Sequence, residues 1–471
     1  MSEPVIVILQ ILFICYFIAL NGGYLMLNAL SFLRLRRHLA LRSLDGLAPV
    51  YSGFEPPVSI LVPAYNEEST IAASVRSMLQ LEYPEFEIVV INDGSKDATM
   101  QVLEREFRLI PFPEAYWQRI ETRPIRRIYR SAEQPNLRVI DKDNGGKADA
   151  LNAGINAARY PLFCGVDADS VLERTSLARV VEPFLEQPHT ICSGGTVRIA
   201  NGCTVRDGFL EHVGLPRSPL ALLQIVEYLR AFLFGRFGWV RLNAVLIISG
   251  AFGVFRREAV VEAGGYRRDT VGEDMELVVR LHRLYRLSGR RYRISFVPDP
   301  ICWTEAPESL RVLRSQRARW QRGLAESLAM NARLCFHRRG GAPGWIAFPF
   351  MIAFEFLGPV IELAGYLFMA SCLAVGVVSQ QALVAFLLAA LGFGIALSVS
   401  ALLLEELSFH VYPRRRHVAT LAAAAVIENF GYRQLVSLWR LEGLLRWAGR
   451  TRQRWGTMTR SGAWQRDPRL K

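Results

Sequence analysis

The chain has 471 residues, a formal net charge of +13, 51% hydrophobic residues and 21% charged ones. That length leaves room for a catalytic domain and a second element, and the balance excludes both a disordered chain and an all-membrane transporter. The charge sits beside apolar segments, at Arg34, Arg36, Arg37 and Arg42, at Arg414, Arg415 and Arg416, and from Arg433 onward; with no nucleic-acid-binding module in the chain, it points to an acidic membrane surface as the partner and not to nucleic acid.

Residues 5–33 are almost wholly apolar, with breaks that include Asn21, Gly22, Gly23 and Asn28, and a bilayer span needs about 20. Glu3 precedes the run and the arginines follow it, unlike a signal peptide. The positive-inside rule then places the chain from Arg34 onward in the cytoplasm, so residues 1–50 read as a membrane helix and a basic linker.

Residues 51–341 read as a soluble α/β domain. Short apolar strands at 58–62, 87–91, 137–140 and 162–166 alternate with helical spacing: Ile71, Val75, Met78 and Leu79, then Leu103, Phe107 and Ile110, then a helix over 148–158. Such alternation predicts a mainly parallel sheet flanked by helices, with ligands beyond the carboxyl ends of the strands. Residues 111–136, rich in Pro and Arg, read as an irregular insertion. Apolar character returns over 345–378 and 382–404 and predicts a transmembrane hairpin within 342–410. The front of its first arm, with Glu355, lies in the interface, and the spanning part starts near Leu357. Residues 418–447 are amphipathic, so 411–471 read as an interfacial helix with a basic cytoplasmic tail; a fourth span would export that tail. Seven single cysteines without a CxxC pair indicate neither disulfides nor zinc, and a reducing compartment for the catalytic part.

Polar loops follow the predicted strands. PAYNE, 63–67, offers Ala64, Tyr65, Asn66 and Glu67 to a base and ribose, and NDGSKD, 92–97, offers Asp93; both are also ordinary turn sequences. DNGGKAD, 143–149, has paired glycines for close approach of a diphosphate and Lys147 as a point charge at a helix start. Asp167-Ala168-Asp169 ends a strand, and alternate residues of an extended segment point to one side, so Asp167 and Asp169 suit one hard divalent ion, Mg2+ or Mn2+. An isolated pair of this kind is otherwise surface carboxylates. Gly272-Glu273-Asp274 opens a helix: Asp274 is the candidate general base, although capping alone would explain Glu273 and Asp274. Ser249-Gly-Ala-Phe-Gly253 is a small-residue segment that admits a sugar. On a helix, Gln316, Arg319, Trp320 and Gly323 share one face, and the tryptophan beside Gln and Arg suits sugar stacking next to a diphosphate; a basic helix resting on lipid headgroups is the alternative.

The ordered series PAYNE, NDGSKDAT, NGGKADALN, DADS, SGAFGVFRREA, GED and QRARW resembles the processive family-2 glycosyltransferases, among them cellulose, hyaluronan, chitin and poly-β-1,6-N-acetylglucosamine synthases, over about residues 56–325. The resemblance implies a GT-A type fold and an inverting, metal-dependent transfer. The donor is a UDP-sugar, UDP-N-acetylglucosamine or UDP-glucose, and the acceptor a growing β-linked polysaccharide. It implies that Asp93 contacts the nucleotide, that Asp167 and Asp169 hold the diphosphate and metal, that Asp274 is the base, and that Glu273, Trp303, Gln316, Arg319 and Trp320 clamp acceptor and diphosphate. Gly272 stands where the family often has Thr. The expected place is the inner (plasma) membrane with the catalytic domain cytoplasmic, and so few spans imply an oligomer or an export subunit. The alternatives are transfer of a single sugar to a polyprenyl-phosphate carrier and, in another class, a transporter or scaffold without catalysis.

Overall fold

The computed structural model describes residues 3–42, 53–206 and 209–450; the linker at 43–52 and the basic tail after 450 lie outside them. Twelve strands are present among the described residues: β1 Val58–Ala64, β2 Phe86–Asp93, β3 Leu109–Pro111, β4 Ile125–Ser131, β5 Leu137–Lys142, β6 Leu162–Val166, β7 Val171–Leu172, β8 Thr190–Ile199, β9 Thr204–Arg206, β10 Phe209–His212, β11 Phe252–Arg256 and β12 Arg293–Thr304. Ten form one sheet in the order β3-β4-β5-β2-β1-β6-β11-β8-β12-β7, and β9 pairs with β10 separately. The centre is parallel: β1 runs with β2 and β6, and β2 with β5. It is buried on both faces, with Val58, Leu61, Val62 and Ile88–Ile91 fully enclosed, which is why these strands read as continuous apolar runs and not as alternating ones.

The mainly parallel sheet flanked by helices is the architecture the sequence predicts, with two differences. The 111–136 segment is not wholly irregular, because β4 pairs antiparallel with both β5 and β3 at the sheet edge; its sequence, IRRIYRS, leaves basic residues on an exposed face and hides the strand signal. Ile110 falls in β3 and not on the preceding helix, which ends at Phe107.

Among the described residues two helices are long and apolar enough to cross a membrane, within Glu3–Leu35 and Gln380–Ser408, and a bent pair, Pro343–Phe356 and Gly358–Ala374, makes up to three. The bend falls at Leu357, where the spanning part was expected to begin. The polar breaks in the first helix face other helices: Asn21 Nδ2 donates to Ala389 O at 3.0 Å and Asn28 Nδ2 to Ser400 Oγ at 2.5 Å, as polar groups among apolar helices require. The 418–447 region is two helices, Arg415–Ile427 and Tyr432–Ala448. The second also meets protein. It packs along the Leu310–Met330 helix so closely that a Cβ on Gly443 would lie 2.3 Å from Ala318 O.

Candidate active site

Because β1, β2, β5, β6 and β12 run in one direction, the loops that leave their carboxyl ends meet at one edge of the sheet. They line a cavity of about 2020 Å³ that takes in Ala64, Tyr65, Glu67, Asp93, Lys147, Asp167, Ala168, Asp169, Glu273, Asp274, Gln316, Arg319 and Trp320. Of the site residues named in the sequence, these and Asn66 are therefore brought together. Trp303 is not. It is 1% exposed and packs with Val171, Ala200 and Cys203, while Thr304 to Glu308 beyond it line the cavity. β12 is paired with β8 at this point, Trp303 opposite Arg198, and that alternation turns the indole into the core.

The first two loops hold each other. Asn66, in the left-handed region at φ 58°, accepts from Lys96 N at 2.9 Å through Oδ1, and its own N–H donates to Ser95 Oγ at 3.1 Å. The Glu67 carboxylate accepts from the Thr70 hydroxyl at 2.8 Å. Tyr65 is left exposed at the rim. Asp93 is 3% exposed and fully engaged: Lys142 Nζ donates to it at 2.5 Å, Gly145 N at 3.0 Å and Gly146 N at 2.7 Å. The glycine N–H groups expected to face a diphosphate thus bind Asp93. Lys142 bridges onward to Asp149 at 2.7 Å, and Arg268 Nη1 reaches Asp149 at 3.1 Å. A buried Asp93–Lys142–Asp149 chain, met from the surface by the exposed Arg268, fixes the loop, and Gly146, at φ 88°, makes the turn into the Lys147–Ala157 helix.

Asp167 and Asp169 share a turn and not an extended segment: β6 ends at Val166, and Ser170 N donates to Asp167 O at 3.0 Å. Asp169 is buried, its Oδ2 accepting from the Thr304 hydroxyl at 3.5 Å, and Asp167 pairs with Lys147 Nζ. Burial alone would lower the Lys147 ammonium, but Asp167, Glu273 and Asp274 around it outweigh that and raise it, so it stays charged. Asp274 is held at both oxygens, Oδ2 by Gly250 N at 3.0 Å and Oδ1 by Met275 N at 2.8 Å. Each oxygen keeps a second acceptor site. Burial pushes the Glu273 carboxyl up to about 7, against the pull of Lys147 and with the push of Asp274.

The Leu310–Met330 helix closes the other wall. Trp320 is 44% exposed, and the buried Arg317 guanidinium lies 4.3 Å from its ring centroid. Arg317 in turn donates to Gln316 Oε1 at 2.8 Å and to Glu227 Oε2 at 2.7 Å, and Glu227 also accepts from the Tyr432 hydroxyl at 2.8 Å. Arg319 lies within electrostatic reach of Glu273. Two further arginines of this helix are paired with protein, Arg314 with Glu442 and Arg322 with Glu326, each at 2.7 Å. From this wall the cavity continues between the apolar helices, where Leu20, Tyr24, Glu355, Glu362, Leu397, Val436 and Arg440 line it. Arg440 Nη2 donates to Glu355 Oε2 at 2.6 Å and its Nε to Gln321 Oε1 at 2.8 Å, joining the Trp320 helix to the membrane segment.

Residues 59–262 match Glycosyl transferase family 2 and residues 163–397 match Glycosyl transferase family group 2. The chain belongs to glycosyl transferase family 2. Among curated proteins, this family-2 glycosyltransferase is 31% identical over 274 residues to a poly-beta-1,6-N-acetyl-D-glucosamine synthase of Staphylococcus aureus (strain COL), covering 58% of the chain and 55% of that protein. It is 29% identical over 272 residues to the enzyme of the same name from Staphylococcus epidermidis, with the same coverage. The chain thus spans about half the length of the curated relatives it matches. Its fold is shared with a mannosyltransferase from Pyrobaculum calidifontis solved in complex with GDP-Man and Mn2+, at 20% identity and a TM-score of 0.53, covering 89% of this chain and 99% of that one.

In this glycosyltransferase, sequence reasoning missed Lys142, Asp149, Arg268, Arg317 and Glu227. Lys142 and Asp149 flank the glycine loop and could have been found as a buried pair. Nothing local marks Glu227, whose partners Arg317 and Tyr432 lie 90 and 205 positions away.

Proposed function

We propose that this glycosyltransferase is a membrane-embedded, inverting polysaccharide synthase that takes N-acetylglucosamine from its UDP-sugar, with glucose second, extends a β-linked chain, and passes that chain into the membrane part of the cavity. One observation carries this reading: Asp167, Asp169, Lys147, Asp274, Arg319 and Trp320 line a single cavity that continues between apolar helices to Glu362 and Arg440. An acceptor hydroxyl oxygen attacks the anomeric carbon, its proton passes to Asp274, and the carbon–oxygen bond to the diphosphate breaks with its electron pair on the diphosphate. Lys147 and Arg319 offset the charge that builds there, and Trp320 offers a face on which the acceptor sugar stacks. The names of the curated relatives and the arrangement of Gln316, Arg319 and Trp320 support the choice of a polymer product.

A divalent ion, Mg2+ or Mn2+, fits the same reading. Among the described residues no group of three or more His, Cys, Asp or Glu is placed to hold a metal. The hard oxygens of Asp167 and Asp169, which line the cavity together, would be its protein ligands, with phosphate oxygens and water as the others, as Mg2+ prefers. The ion supplies Lewis acidity toward the leaving diphosphate. The catalytic domain belongs on the cytoplasmic side, where the arginines after the first span lie.

The test is to incubate purified full-length protein in lipid with radiolabelled UDP-sugars and GDP-mannose, with Mg2+ or Mn2+, and to size the product. Polymer from UDP-N-acetylglucosamine that disappears in Asp274→Asn and on chelation is expected. A product one sugar longer than a lipid phosphate carrier would overturn the reading.

A further inference from the structure

A second cavity, of about 670 Å³, shares no lining residue with the catalytic one. Arg286, Arg291, Arg293, Arg339 and His189 line it, with Glu186 as its acidic residue. Arg290 lines it too, but its guanidinium is paired with Glu262 at 2.8 Å. The other arginines bind neutral groups: Arg286 Nε donates to the Tyr292 hydroxyl at 3.1 Å, Arg293 Nη2 to Val240 O at 2.7 Å and Arg339 Nη1 to Leu287 O at 3.1 Å, while Arg291 is exposed. Among the described residues no carboxylate lies in salt-bridge contact with these four. Four guanidiniums against one carboxylate leave a field that attracts an anion, and guanidinium matches phosphate oxygens in shape as well as charge.

Its surroundings say which anion. On one flank, Val240 ends the Phe237–Val240 helix, which packs on the first apolar helix, a Cβ on Gly238 lying 2.7 Å from Leu27 O. Arg34, at the end of the span Glu3–Leu35, sits over the Phe237 ring at 5.2 Å and within electrostatic reach of Arg293 and Glu186. On the other flank, Phe336 and Trp345 are exposed, meet edge to face at 5.3 Å, and introduce the apolar Pro343–Phe356 segment. Exposed aromatics at the head of an apolar helix are headgroup-level anchors.

We propose that this arginine cavity is a binding site for the phosphate of an anionic phospholipid headgroup, with the exposed Phe336 and Trp345 beside the acyl chains. The site rests on the membrane reading above but not on the catalytic one.

The test follows the thermal midpoint of full-length protein in neutral micelles titrated with dioctanoyl phosphatidylglycerol, dioctanoyl phosphatidylcholine or inorganic phosphate. A saturable rise with phosphatidylglycerol and none with phosphatidylcholine is expected. An arginine that hydrogen-bonds a bound phosphate contributes a factor of about ten or more, so Arg291→Ala/Arg339→Ala should raise the half-saturating concentration at least about tenfold. Both side chains are exposed, and an unchanged midpoint without lipid checks the fold. Arg415→Ala/Arg416→Ala, also exposed and near the end of a span, should shift it less than about twofold. Equal losses in the two double variants would mean diffuse attraction and overturn the site, and saturation by inorganic phosphate that blocks phosphatidylglycerol would overturn the lipid assignment. Sugar transfer in the same micelles separates the two readings: its loss with the lipid effect intact sinks the catalytic one alone.

Discussion

Gly272 and Gly323 meet backbone to backbone: a Cβ on Gly272 would lie 2.7 Å from the Cα of Gly323, and one on Gly323 would lie 2.8 Å from the Cα of Gly272. This contact sets the helix that carries Glu273 and Asp274 against the helix that carries Gln316, Arg319 and Trp320. It also accounts for glycine at position 272, because any side chain there would run into the backbone of the partner helix. Gly272→Thr should therefore push the two walls of the site apart. Overpacking costs about 1–3 kcal/mol, and a displacement of about 1 Å costs roughly a hundredfold in rate. Transfer assays should show that loss with donor affinity changed far less; a wild-type rate would mean that the crossing is loose.

Glu273 carries a pH signature. Its carboxyl is raised to about 7 by burial, so in the folded state it holds a proton that the unfolded chain releases near 4.3. Its contribution to stability is then fully present below that lower value and is lost as pH rises through about 7. Glu273→Gln stays neutral throughout. Thermal midpoints measured from pH 5 to pH 8 should show the variant gaining on the wild type as pH rises, and parallel curves would rule out the raised carboxyl.

Lys142 neutralises two buried carboxylates, Asp93 and Asp149. Lys142→Met leaves Asp93 without its cation and Asp149 with Arg268 alone, and a broken buried pair costs about 3–5 kcal/mol. The loop at 143–146 loses its anchor at the same time. A lower thermal midpoint together with weaker nucleotide-sugar binding is expected, and binding at full strength would detach this chain of charges from the site.

The two tryptophans should separate cleanly. Trp303 is core, so Trp303→Ala should cost about 3–5 kcal/mol while Trp303→Phe keeps acceptor KM near wild type. Trp320 is exposed to the cavity, so Trp320→Ala should leave the thermal midpoint nearly unchanged and reduce transfer at least about tenfold, since an exposed ring contributes little packing and a stacked sugar a good deal. Thermal melts beside initial rates distinguish them.

These cases mark what the sequence could say. Period and apolar runs located β1, β2, β5 and β6, and chain order then fixed which loops share an edge, because parallel strands leave no choice. That is why Asp93, Lys147, Asp167 and Asp169 could be placed at one edge in advance, whereas Asp274, more than a hundred positions beyond Asp167 and after the antiparallel β11, was added by the resemblance to family-2 glycosyltransferases. Local pattern could not tell a residue that faces ligand from one that holds a neighbouring loop. Asp93 and Gly145 lie in the expected place but bind each other, and Trp303 lies beside the site but on the inward side of β12. The support for Trp320 was invisible for the same reason, since Arg317, Glu227 and Tyr432 are assembled only by the packing of distant helices.

The central claim is that the catalytic cavity and the space between the apolar helices form one path for the product. p-Benzoylphenylalanine at position 436 lines that space, whereas at position 438, where Leu438 is exposed, it faces away. Irradiation during synthesis from radiolabelled UDP-N-acetylglucosamine should attach labelled polymer to position 436 and not to 438. Active enzyme that makes polymer but labels neither position, or labels both equally, would contradict the path.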